Sequence, residues 1–179
     1  MTVAIDTSVL LFLLNESTPA PIDPATGAPV SRCRERVNLL IDELCKANET
    51  LIAPTPVLAE VLVRAELAGP AYISLMEKTK PIRLVEFGKR AAVEAAAMTA
   101  ARLRVGKPAG AEARAKLKFD IMIAAIAKLT GARTLYSDDG DMARLGATFG
   151  FSVVGIADLP LPMDEPDLFS GQPYDLQTL

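Results

Sequence analysis

Short apolar runs that end on acidic residues recur along this chain. Val3-Ala4-Ile5 stops at Asp6, and Thr134-Leu135-Tyr136 leads through Ser137-Asp138 to Asp139. Runs of this length between turn residues predict fully buried strands, at 2–5, 51–53, 82–85, 133–136 and 151–154. Between them the spacing changes to that of helices. Val37, Leu40, Ile41 and Leu44 fall at i, i+3, i+4 and i+7, which predicts an amphipathic helix over about 31–47. Thr7 or Ser8 is placed to cap a helix carrying Val9 to Leu14. Further helices are expected at 55–68 with Gly69-Pro70 as the stop, at 71–79, at 88–104, and in a short stretch beginning at 141–145. The segment 119–130 is apolar nearly all round, so it should be a central helix, stopped by Gly131.

Three stretches carry no such pattern. Residues 17–30 hold four prolines and one glycine, and predict a long loop. Val105 to Gly110 is expected to be a linker, followed by the basic run Arg114, Lys116, Lys118 ahead of the 119–130 helix. The tail after about 158 is Pro-rich and acidic, with Asp164, Glu165 and Asp167, and reads as an irregular extension. Strands alternating with helices predict one α/β domain over 1–158, a three-layer α/β/α sandwich on a parallel sheet of about five strands. Ligands of such sheets bind beyond the carboxyl ends of the strands. Asp6 and Asp139 fall just past two of those ends. Glu60 and Asp120 are expected near the beginnings of helices that pack at the same edge.

Each acid has a local explanation when taken alone. Asp6 can bond its own turn, Glu60 can pair with Arg64 at i+4, and Asp120 can favour the positive end of a helix. Ser137, Asp138, Asp139 and Asp141 suit a turn or a cap. Jointly they are costly, because converging carboxylates repel and resist ionisation. A hard divalent cation, Mg²⁺ or Mn²⁺, removes that conflict, since such ions prefer oxygen ligands. A metal held this way activates water or stabilises an oxyanion, which suits a phosphodiester substrate.

Composition narrows the chemistry. Histidine is absent, which excludes His-based triads, His general bases and His-ligated zinc. Half of the residues are hydrophobic but only 5 % are aromatic, so aliphatic side chains and alanine must fill the core. The net charge of −3 argues against a general nucleic-acid coat and leaves room for a local basic patch. Arg32, Arg34, Arg36, Lys107, Arg114, Lys116 and Lys118 are the candidates, and 114–118 is the best placed because it leads into Asp120. Cys33 and Cys45 on one helix would stand about 18 Å apart, too far for a disulfide, and read as reduced core thiols. Leu10 to Leu14 is too short to span a bilayer. A cytoplasmic protein without membrane association is the expectation.

The opening Ala4-Ile5-Asp6-Thr7-Ser8-Val9-Leu10-Leu11, the Pro-x-x-x-x-Glu pattern ending at Glu60, the Asp120-x-x-Ile-Ala-Ala helix and the Ser137-x-Asp139-x-Asp141 turn resemble a PIN domain over about residues 2–156. The nearest resemblance is to VapC-type toxins, ribonucleases of type II toxin–antitoxin pairs. It implies a metal-dependent endoribonuclease that leaves a 3′-hydroxyl and a 5′-phosphate. It also implies Asp6 and Asp120 as principal Mg²⁺ or Mn²⁺ ligands, Glu60 as the third acid, Asp139 as the fourth and Asp141 as a further ligand. The choice among Asp138, Asp139 and Asp141 stays open at this point. Thr7, Ser8, Ser137, Arg114, Lys116 and Lys118 are the expected substrate-side residues. RNA, a cognate antitoxin and a second copy of the chain are the expected partners, with helices 31–47 and 55–68 as candidate dimer surfaces. Met142 stands where the family usually has an aromatic, and the 17–30 loop and the tail lengthen the chain. A housekeeping RNA-processing nuclease is the alternative role. Other classes are a non-enzymatic binding module or an aspartate-based phosphatase or receiver. The phosphatase pattern wants a second Asp two residues after Asp6, where this chain has Ser8.

Overall fold

The computed structural model describes residues 1–106 and 110–163. Lys107 and most of the acidic tail therefore lie outside the described residues. The five expected strands form: β1 (Thr2–Ile5), β2 (Thr50–Pro54), β3 (Ile82–Val85), β4 (Thr134–Tyr136) and β5 (Ser152–Val154). They make one all-parallel sheet in the order β3-β2-β1-β4-β5. A receiver fold has the order 2-1-3-4-5, so that alternative falls with the topology.

The chain steps outward from β1 to β2 to β3, then returns across the sheet to β4 and β5. Parallel crossovers are right-handed. The first two connections therefore put α1 (Thr7–Leu14), α2 (Cys33–Lys46), α3 (Thr55–Ala65) and α4 (Gly69–Lys78) on one face. The reversal sends α5 (Lys89–Val105), α6 (Ala111–Leu129) and α7 (Gly140–Phe149) to the other. Contacts follow this division: α1 lies against α2 and α3, and α6 against α5 and α7, while α3 and α6 also meet each other. The sheet is thus covered on both sides, which is why β1 and β2 are apolar and buried beyond their first threonine rather than alternating.

The direction of travel reverses at β1 and β4, and a crevice opens there between their carboxyl ends. The register fixes its walls. Ile5 pairs with Tyr136, and the Asp6 amide donates to the Tyr136 carbonyl at 2.9 Å. Asp6 and Ser137 are therefore neighbours at the same sheet edge.

Four local expectations need correction. The helix expected at 119–130 begins at Ala111, because Ala-Glu-Ala-Arg-Ala-Lys-Leu-Lys is itself strongly helix-forming. The basic run is thus the first half of α6, and Asp120 stands in mid-helix rather than near its start. The same holds for Glu60 in α3. Gly69-Pro70 does not end a helix. It starts α4, with the proline in the first turn, where its missing N–H is harmless. The actual break is the 3₁₀ turn Glu66–Ala68, with Glu66 at φ 48°. Finally, Asp6 itself caps α1, where Thr7 or Ser8 was expected: its Oδ1 accepts from the Thr7 amide at 2.7 Å.

The Pro-rich 17–30 loop is fastened at both ends. The Thr18 hydroxyl donates to the Leu11 and Asn15 carbonyls, and Arg34 pairs with Glu16 at 2.7 Å. Ile22 and Pro29 form a single antiparallel bridge around a turn organised by Asp23. Cys33 and Cys45 are both free thiols on α2.

Candidate metal centre

Asp6 leaves β1 directly into the crevice, and three donors hold its carboxylate. Oδ1 takes the Thr7 amide. Oδ2 accepts from the Ser8 hydroxyl at 3.1 Å and the Ser137 hydroxyl at 2.8 Å. The two serines are fixed in turn, since Ser8 Oγ accepts from the Asp138 amide and Ser137 Oγ from the Asp139 amide. The turn after β4 is thereby laced to the start of α1, and Asp6 has one available orientation. Asp6 is only 7 % exposed. Burial pushes its carboxyl above the usual range, against the pull of the Ser137, Thr7 and Ser8 donors, and the charge on Glu60 adds to the rise.

Glu60 projects from α3 on the far side of Asp6, where the Thr7 hydroxyl donates to its Oε2. It does not pair with Arg64. Asp120 comes from α6 and is as buried as Asp6. Its Oδ2 is a buried side-chain oxygen without a hydrogen-bond partner among the described residues. Burial drives the Asp120 carboxyl up to about 7. Lys116 opposes the shift, and the charges of Asp139, Asp6 and Asp141 reinforce it. A buried anionic oxygen with no donor is expensive, and a cation ligand is the usual remedy.

Lys116, one helical turn before Asp120, reaches into the same place. Its ammonium lies 2.8 Å from Asp139 Oδ2, 2.5 Å from Asp141 Oδ2 and 3.6 Å from Asp120 Oδ2. Burial works against its charge, but the Asp139 and Asp141 hydrogen bonds and the Asp120 charge outweigh it and hold the ammonium above its ordinary range. Arg114 and Lys118 are two residues to either side, about 200° around the helix, and stay outside the cleft lining. Lys116 was expected on the substrate side; the structure puts its ammonium among the acids.

The three aspartates after β4 separate cleanly. Asp139 caps α7 by accepting from the Asp141 amide at 2.7 Å and also meets Lys116. Asp141 lies further out, bound to Lys116 and Arg144, and those two hydrogen bonds hold its carboxyl below the usual range. Asp138 also lines the cleft, but its Oδ1 accepts from the Ile156 amide at 2.8 Å and clasps the turn after β5. Burial raises its carboxyl, only partly offset by that hydrogen bond.

These groups line a cleft of about 720 Å³. Asp6, Glu60, Asp120 and Asp139 face it, with Thr7, Ser8 and Lys116 between them, and Ser17 to Pro21 of the long loop close one side. Arg64 also lines the cleft, one turn beyond Glu60 on α3, and makes no ion pair among the described residues. Its position at i+4 from Glu60 was legible, but the expected Glu60–Arg64 pair hid its availability. Of the other basic candidates, Arg32 pairs with Glu35, Arg34 with Glu16, and Arg36 donates to the Ala157 and Leu159 carbonyls.

As the side chains stand, no three acidic, Cys or His groups among the described residues are gathered closely enough to hold a metal ion. The donor set still fits a hard divalent cation. It is all oxygen, mostly carboxylate, and includes one buried oxygen with nothing bound to it.

No family sequence model matches the chain, and no curated relative matches it by sequence. Solved structures do match. The VapBC2 complex of Rickettsia felis, bound to a DNA fragment from its promoter, has a chain superposing with a TM-score of 0.60 at 14 % identity, covering 87 % of this chain and 98 % of that one. The DNA-bound VapBC of Salmonella typhimurium gives 0.54 at 19 % identity, with the same two coverages. Mycobacterium tuberculosis VapC20, a sarcin-ricin loop cleaving toxin, gives 0.50 at 17 % identity, covering 80 % of this chain and 95 % of that one. The chain therefore has the PIN-like α/β/α fold of VapC-type proteins.

Proposed function

We propose that this protein is a Mg²⁺- or Mn²⁺-dependent endoribonuclease and the toxin of a type II toxin–antitoxin pair. The observation that carries the proposal is the buried Asp120 oxygen without a donor, in a cleft that also presents Asp6, Glu60 and Asp139. The fold supports the reading, since it is shared with a toxin that cleaves the sarcin-ricin loop and with VapBC complexes.

In this reading Asp6 and Asp120 hold the metal, Glu60 joins directly or through water, and Asp139 completes the acidic wall. Asp141 and Asp138 are the weaker candidates, because Asp141 stands further out and Asp138 is spent on the Ile156 amide. A bound divalent ion supplies an activated water and charge neutralisation at the phosphate. The chain's own contribution is orientation. Ser8 and Ser137 fix the Asp6 carboxylate, and Thr7 fixes Glu60. Arg64 offers a planar pair of donors to an RNA phosphate at the cleft wall.

A cleavage assay on mixed RNAs with Mg²⁺, Mn²⁺ or EDTA tests the chemistry. Metal-dependent scission abolished by EDTA is expected, and cleavage indifferent to EDTA would sink the proposal. Growth arrest on expression, relieved by the product of the neighbouring reading frame, is expected of a toxin. Cleavage without arrest would favour an RNA-processing nuclease instead. Arg64→Gln should raise KM about tenfold with kcat little changed, the loss of one charge-assisted hydrogen bond. It should also flatten the salt dependence of RNA binding by roughly 0.7 in slope. An unchanged slope would remove Arg64 from the RNA path.

A homodimer belongs to the same proposal. On α3, Val63 is 81 % exposed, and Leu67 in the turn beyond it is 99 % exposed. Val63→Glu combined with Leu67→Glu should convert a dimer to a monomer in sedimentation velocity. No helix among the described residues is long and apolar enough to cross a membrane.

A further inference from the structure

We propose that Lys116 is a built-in counter-ion that competes with the divalent cation for Asp139, Asp141 and Asp120, so that metal loading requires its ammonium to leave. The inference rests on the metal-site reading above and adds a control on it.

The geometry is that of a cation site filled from within. One ammonium serves three carboxylates, and its approach is uneven. Asp139 and Asp141 are within direct contact, while Asp120 Oδ2 at 3.6 Å is beyond hydrogen-bonding range and has no other donor. The compensation is therefore partial. A divalent ion bonds carboxylate oxygens at about 2 Å, close enough to satisfy Asp120 as well. Two cations cannot share that space without strong repulsion, so metal and ammonium are alternatives.

The lysine can yield because it is half-exposed and sits on a flexible four-carbon stem at the cleft mouth. Its placement by α6 is specific. At i−4 from Asp120 it shares that residue's helix face, whereas Arg114 and Lys118 point away.

The test is Mn²⁺ binding to the full chain without RNA, read by the electron paramagnetic resonance signal of free Mn²⁺. Lys116→Met keeps the stem and removes the charge, and should tighten Mn²⁺ binding about tenfold or more. Lys116→Arg keeps the charge and should stay near the wild type. Equal or weaker Mn²⁺ binding by Lys116→Met, in a wild type that does bind Mn²⁺, would overturn the competition and leave the metal site standing. If the wild type binds no Mn²⁺ at all, both the metal reading and this proposal fall. Amine-selective labelling of wild-type Lys116, quantified by mass spectrometry, avoids any folding defect of the variants. Reactivity should rise severalfold between EDTA and saturating Mg²⁺, and unchanged reactivity would count against displacement.

Discussion

Asp6→Asn should leave a folded protein whose metal-dependent RNA cleavage has fallen by about a thousandfold or more, roughly 4 kcal/mol of transition-state stabilisation. The fold should survive because every partner of Asp6 can be kept. The amide oxygen of asparagine can still accept from the Thr7 amide and cap α1. The amide nitrogen then faces the Ser8 and Ser137 hydroxyls, which are donors to the carboxylate in the present structure. Each hydroxyl has two lone pairs and takes only one backbone amide, so each can turn and accept instead. What is lost is the negative charge at the switch point of the sheet. Thermal unfolding and cleavage rate should therefore part company, with Tm held or raised and turnover gone. A variant that cleaves at the wild-type rate would remove Asp6 from the metal site, and one that is unfolded would make it a structural acid.

The strands and most of the helices could be read from the chain because their signals are local. Short apolar runs ended by Asp6 and Asp139 mark β1 and β4, and Val37, Leu40, Ile41 and Leu44 mark the buried face of α2. Convergence of the acids could be argued from their positions at strand ends, since an α/β sheet gathers its carboxyl edge. The errors came where propensity and context conflict. The stretch 111–118 reads as basic and solvent-facing, which it is, yet the same residues extend α6 by two turns and carry Lys116 into the cleft. Gly69-Pro70 reads equally as a stop or a first turn, and only the positive φ at Glu66 decides it. Which of the aspartates after β4 is already engaged depends on where the turn after β5 passes, since Asp138 is taken by the Ile156 amide, a contact across eighteen residues that no local pattern carries.

Asp120→Asn should abolish cleavage as Asp6→Asn does, but it should also make the metal-free protein more stable at pH 8. The cause is the cost of ionising Asp120 where it stands. Its carboxyl is raised from 3.8 to about 7, chiefly by burial, and one of its oxygens has no donor. The sign follows from proton linkage. Below about pH 4 the group is protonated folded or unfolded and costs nothing. Between about pH 4 and 7 the unfolded chain releases its proton while the folded chain keeps it, so wild-type stability falls across that range and levels off above 7, where the folded chain ionises in place too. Asparagine does not titrate and escapes the loss. Discounting for the solvent and the Lys116 charge that still reach the site, the gain should be on the order of 2 kcal/mol, or roughly 4–8 °C in Tm for a chain of this size. It should shrink towards zero near pH 4. Mg²⁺ should reverse the order, because a ligand at a hundred times its Kd adds about 2.7 kcal/mol to the form that binds it. Unfolding curves of both proteins in EDTA and in Mg²⁺, at pH 4 and pH 8, are sufficient. If the wild type is the more stable of the two in EDTA at pH 8, Asp120 is held by a partner of its own, and the case for a cation there fails with it.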